Sequence, residues 1–113
     1  MAFLSKNAIL AADDYKYGTV SVPEWGGEVR VRGLTAYEQS IVAKLVTDEK
    51  KSEVTLKVVQ FGCVDENGER LFSSADVDQL KTKSFSVIQR LGEKILKLTG
   101  IGDADEVETL KKN

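Results

Sequence analysis

A chain of 113 residues, 42% hydrophobic and 30% charged, has the proportions of one globular domain and is long enough to bury a core without metal or disulfide. Its net charge of -2 is the opposite of the basic footprint that nucleic acid demands, and no apolar run approaches the ~20 residues that span a bilayer. With no histidine, the usual general base and the commonest metal ligand are missing, and one cysteine excludes an internal disulfide and cysteine-rich metal sites.

The opening residues Met1 to Lys6 lack the basic-then-apolar pattern of a secretory signal, so the chain is expected to stay in the cytoplasm where it is made. Ser5 is placed to cap a short helix through about Ala12, with Ile9 and Leu10 on its apolar side. Two turns are unstable alone, so this piece is expected to dock on the body or on a partner. From Thr19 the period changes to two. Val20 and Val22 alternate with Thr19 and Ser21 as far as Pro23; after Glu24-Trp25-Gly26-Gly27, Val29 and Val31 alternate with Glu28, Arg30 and Arg32. This is a β-hairpin over 19–32, and its valine face must be covered, because a lone hairpin is marginal in water.

Thr35 and Glu38 have capping-box spacing, which starts a helix at Ala36; Tyr37, Ile41, Val42 and Leu45 then recur at helical spacing to about Thr47. Residues 53–64 fit both periods. Val54, Leu56 and Val58 alternate like a strand, while Val54, Val58 and Phe61 share a helix face; length and the Glu53–Lys57 spacing favour a helix, and β-branched content opposes it. Asp65 to Gly68 is a turn, Arg70-Leu71-Phe72 is short and extended, and Ser74 is placed to cap a helix from Ala75 to about Lys81 with Val77 and Leu80 inward. The last helix runs from about Ser84 to Thr99 on the stripe Ile88, Leu91, Ile95 and Leu98, and Gly100 is placed to end it left-handed. Gly92 inside it admits two readings, close approach of another backbone or simple tolerance.

The expected fold class is therefore α+β, a mainly helical small domain with one N-terminal β-hairpin. Residues 1–101 form the single domain: helix within 1–14, hairpin at 19–32, helical part at 35–100. Residues 102–113 read as an acidic, flexible tail.

None of the chemical motifs survives inspection. The Asp65-Glu66-Asn67-Gly68 turn has its Gly fourth where a calcium loop needs it sixth, and Asp76 in place of Glu at the twelfth position. Gly100-Ile101-Gly102 is followed by acids where a dinucleotide fingerprint needs its third Gly. Asp13-Asp14 and Asp103-Ala104-Asp105-Glu106 read as solvated or capping carboxylates, and Cys63, in an apolar segment without a basic neighbour, as an inert thiol. No catalytic, cofactor or metal residues are expected.

Ala8-Ile9-Leu10-Ala11-Ala12-Asp13-Asp14, Val22-Pro23-Glu24-Trp25-Gly26-Gly27 and Val29-Arg30-Val31-Arg32-Gly33-Leu34-Thr35 resemble the opening of tail assembly chaperones from long-tailed bacteriophages and prophages. Val64 to Phe72, Ala75-Asp76-Val77 with Leu80, and the Leu91 to Gly100 helix end resemble the same family in the same order, with a departure in the β-branched stretch 53–64. The resemblance implies a non-enzymatic protein of the host cytoplasm. It would bind the tape measure protein, help tail tube subunits assemble on it, self-associate, and be absent from the finished virion. A small structural tail or head-tail connector protein is the alternative. Many members are also made in a longer, frameshifted form; Lys111-Lys112-Asn113 is compatible with a slippery codon string and is also just an ordinary polar terminus. Candidate protein-binding residues are Pro23 and Trp25 at the hairpin end, Ile9 and Leu10 on the first helix, Tyr37 on the second, and Ile88, Leu91 and Ile95 on the last. Trp25 either projects as a contact or folds back over Val22 and Val29 as a staple.

Overall fold

The computed structural model describes residues 3–100, side chains 51 and 52 excepted; the tail expected at 102–113 lies outside them. The elements are α1 (Lys6–Ala11), β1 (Tyr17–Val22), β2 (Gly27–Arg32), α2 (Ala36–Thr47), α3 (Lys51–Gly62), β3 (Cys63–Val64), α4 (Val77–Leu80) and α5 (Phe85–Thr99). The α+β class is as expected, although α1 precedes the hairpin.

β1 and β2 pair antiparallel with Val20 opposite Val29 and Gly18 opposite Val31. The alternation of the sequence thus places the valines together on one face. That face is covered by the chain itself. Val20, Val22 and Val31 join Val58, Val59, Leu91 and Ile95 in one core, with Val29 partly buried against it. The expectation missed the third strand: β3 pairs antiparallel with β2, Cys63 opposite Val31, so the hairpin is two-thirds of a three-stranded sheet.

The ambiguous stretch 53–64 resolves as a helix for all but its last two residues, which form β3. Its apolar residues serve both: Val58 and Val59 are fully buried on α3, then Cys63 and Val64 on β3. The α3–α5 contact is close. A methyl added at Gly62 would fall 2.5 Å from Ile95 Cγ2, and one at Gly92 would fall 2.9 Å from Thr55 Cγ2, so close approach is the reason for Gly92, to a side chain rather than a backbone. Thr35 and Glu38 form the expected capping box. Gly100 ends α5 at φ 102°, a conformation that glycine adopts without a Cβ penalty. The cap before α4 is shifted by one residue. Ser73 meets the Asp76 carboxylate through its backbone N–H at 2.8 Å, and a 3₁₀ turn over Ser74–Asp76 precedes a four-residue α4.

Candidate functional site

Two surfaces flank this core, and both are built from the ends of its elements. The first is the hairpin end. Pro23 opens a 3₁₀ turn over Pro23–Trp25, which leaves Trp25 37% exposed and outside the core. The turn is held from below by α5: Arg90 donates from Nη1 and Nη2 to the two carboxylate oxygens of Glu24 at 3.0 and 2.7 Å, and from Nη1 to Ser21 O at 3.2 Å. The guanidinium of Arg90, with the turn backbone, holds the Glu24 carboxyl down to about 2. A fixed turn presents Trp25 in one place, so less ordering accompanies contact.

The second surface is a groove of about 730 Å³ between the start of α2, the last turns of α3 and the chain at 70–76. Tyr37, Ile41, Phe61 and Phe72 make its apolar walls, and Tyr37 is 74% exposed at the rim. Arg70 lies over the Phe61 ring with Cζ 4.5 Å from the centroid, and Lys57 Nζ is 5.3 Å from it. An aromatic ring flanked by cations suits a partner that brings apolar side chains together with carboxylates.

The groove is anchored by Glu38, which is only 2% exposed. Its carboxylate accepts from Arg32 Nη1 and Nη2 at 2.9 and 3.0 Å, from the Thr35 amide at 2.8 Å, and from Arg70. Burial alone would raise this carboxyl, but the hydrogen bonds from Arg32, Thr35 and Arg70 outweigh it and hold the group down to about 2. Arg32 is buried as well, and its Nη1 also donates to Gly33 O at 2.8 Å. Alternation had set Arg32 beside Arg30 on the open face of the hairpin; Tyr15, 4.8 Å from Arg32 Cζ, covers it there. On that same face Arg30 reaches Glu66 O at 2.7 Å and stacks 4.3 Å from the Tyr17 ring centroid, which ties the 65–69 turn to the sheet.

The candidate residues are divided by this geometry. Pro23, Trp25 and Tyr37 are at the surface, and so are Ile9 and Leu10 on α1, a helix in which no residue is buried. Ile88, Leu91 and Ile95 are not. All three lie within the core at 4% exposure or less, against α3 and the sheet, so a partner meets other residues first. A strong apolar stripe is the same whether it faces its own chain or another, which is why periodicity alone could not separate them. Ile41, Phe61, Phe72 and Arg70 in the groove were not singled out by sequence. Besides Tyr37, the groove leaves a local trace in the Arg70-Leu71-Phe72 stretch, which bridges to Val64 through Arg70.

Burial pushes the Cys63 thiol up to about 12, and among the described residues no group of three or more His, Cys, Asp or Glu is placed to hold a metal ion. Among them too, no helix is long and apolar enough to cross a membrane.

Compared with solved structures, the chain matches the bacteriophage HK97 tail assembly chaperone with a TM-score of 0.65 over 81% of this chain and 90% of that one, at 21% identity. The two share one fold. No protein family description and no curated protein sequence matches the chain. The HK97 protein is by name a tail assembly chaperone, the kind of protein whose sequence words this chain resembles.

Proposed function

We propose that this protein is a tail assembly chaperone of a long-tailed bacteriophage or prophage, acting in the host cytoplasm without enzymatic activity. In this reading it binds the tape measure protein, helps tail tube subunits assemble on it, and leaves before the virion is complete. The observation that carries the reading is the fold held in common with the HK97 tail assembly chaperone across most of both chains.

The physical logic supports it. A tape measure is long and mostly helical, and its apolar stripes would aggregate if left bare. The groove between α2, α3 and the 70–76 segment offers Tyr37, Ile41 and Phe72 to such a stripe, with Phe61 buried beneath them and Lys57 and Arg70 beside it for carboxylates. Each site is shallow and weak, and many copies along one chain hold strongly together. Tube subunits then displace them one after another. Trp25, held by the turn, is the second contact in this scheme, and the tube subunit is its partner.

Co-expression with the tape measure of the same phage tests the proposal: a soluble complex is expected, lost in Tyr37→Ala/Phe72→Ala, together with absence of the protein from purified particles. Fixed stoichiometry in particles would make it a structural tail or connector protein instead. A longer form read by slipping back one base near Lys111-Lys112-Asn113, outside the described residues, belongs to the same proposal. Mass spectrometry of induced cells checks it, and finding the 113-residue form alone would end it.

A further inference from the structure

The groove between α2, α3 and the 70–76 segment carries in its wall one polar group that its own chain leaves unanswered. Lys57, Gln60 and Phe61 share one face of α3 by their helical spacing, and all three line the groove. Gln60 is only 3% exposed, and its carboxamide oxygen is buried without a hydrogen-bond partner. Folded proteins pair nearly all such groups, because an unpaired one costs stability. Two donors that share the groove wall are committed already: Arg70 to the Glu38 carboxylate, and Ser73 to Asp76. The other buried amide oxygen of this kind among the described residues, that of Gln39, is not part of the groove lining.

A wholly apolar stripe laid into the groove excludes water and leaves the Gln60 amide still without a partner. A stripe interrupted by one carboxamide does not. Asn and Gln carry donor and acceptor on a single planar group, and the terminal torsion of Gln60 is broad and two-fold, so a half-turn exchanges the two ends of its amide. Lys57 lies one helical turn before Gln60, with its ammonium beside the Phe61 ring. A carboxylate one turn from the partner's carboxamide therefore meets a cation on the same face of α3.

We propose that Gln60 sets the register in which a helical partner lies in this groove, and that the segment recognised is an apolar stripe interrupted by one Asn or Gln, with an acidic residue one turn away facing Lys57. The inference rests on the groove reading given under the proposed function and narrows it, since apolar stripes are then not accepted alike. A single polar position in a helix seam gives up some affinity and penalises every alignment that leaves it unpaired. On a long partner with many apolar turns, that penalty keeps copies from settling at any turn.

Two synthetic amphipathic helical peptides test it, identical except for Asn or Leu at the centre of the stripe, each with Glu one turn away. Both are titrated into the intact isotope-labelled protein, natural and Gln60→Leu, and Kd is read from the magnetic resonance shifts of groove residues. Gln60→Leu should fold and melt no lower than the natural protein, because leucine has no amide to leave unpaired. The ratio of Kd for the Leu peptide to Kd for the Asn peptide should be about tenfold or more larger in the natural protein than in Gln60→Leu; the lower helix propensity of Asn cancels in this comparison. Equal ratios in the two proteins would overturn the inference and leave the groove a general site for apolar stripes. Binding of neither peptide in the groove would overturn it together with the tape measure contact placed there.

Discussion

Glu38 and Glu24 are gripped alike, two guanidinium nitrogens on two carboxylate oxygens, yet one pair is sealed inside the protein and the other is open to solvent. Both carboxyls are held to about 2. The likeness ends there. Glu38 joins the end of β2, the first turn of α2 and the chain after β3, and although Arg70 is half-exposed, neither Glu38 nor Arg32 has water to return to when the other is removed. Glu24 joins a turn to α5, and both members of its pair are rehydrated as soon as they part. A lowered pKa therefore reports how well a charge is held against a proton; burial decides how much the fold depends on it.

The most severe way to probe this contrast is Glu38→Gln. It leaves Arg32 buried without its counter-charge and should lose about 3–5 kcal/mol in urea unfolding; a loss under about 1 kcal/mol would place Glu38 in the same class as Glu24.

Acid comes next. A carboxyl at about 2 in the folded protein and 4.5 ordinarily adds stability that is complete above 4.5 and is lost as pH falls from there toward 2. For Glu38 the loss is roughly 3 kcal/mol. The natural protein should lose stability through that window, the Glu38→Gln variant should show a flatter profile, and Arg90→Ala should follow the natural one. Arg90→Ala itself should leave the unfolding midpoint nearly unchanged in moderate salt while speeding amide exchange at Gly26 and Gly27, where the turn is released. Trp25→Ala should have the smallest effect of all, a melting temperature close to that of the natural protein. A fall of several degrees would mean that the indole staples the hairpin and is not held out for contact.

What could be read from the sequence, and what could not, divides along the same line of local against distant. The alternation of the hairpin strands, the Thr35–Glu38 box and the start and stop of α5 each rest on neighbours within a few positions, and each was legible; the pairing of one strand with the other came from the structure. The second role of Glu38 was not, because Arg70 lies 32 residues away and only the fold brings it to the carboxylate. β3 was hidden for a related reason: two residues are too short to show a period, and they continue the apolar run of α3 without a break. At the candidate surfaces, Trp25 and Tyr37 stood out by type and position. The groove required α2, α3 and the 70–76 segment together. Ile88, Leu91 and Ile95 looked like contact residues because a stripe shows that something covers it without saying what.

Cys63 gives the molecule a native clock. It is the only thiol in the chain, lies fully enclosed on β3 beside Val31, and is disinclined to ionise. A thiol reagent can reach it only when β3 parts from its surroundings, so the labelling rate counts openings of the sheet with no residue altered and no dye attached beforehand. Where reclosing outruns labelling, that rate scales with the open population. Recorded with and without a partner in the groove, it would show whether occupying the α2–α3 surface tightens the strand that α3 runs into, a link between recognition and stability readable from a single sulfur.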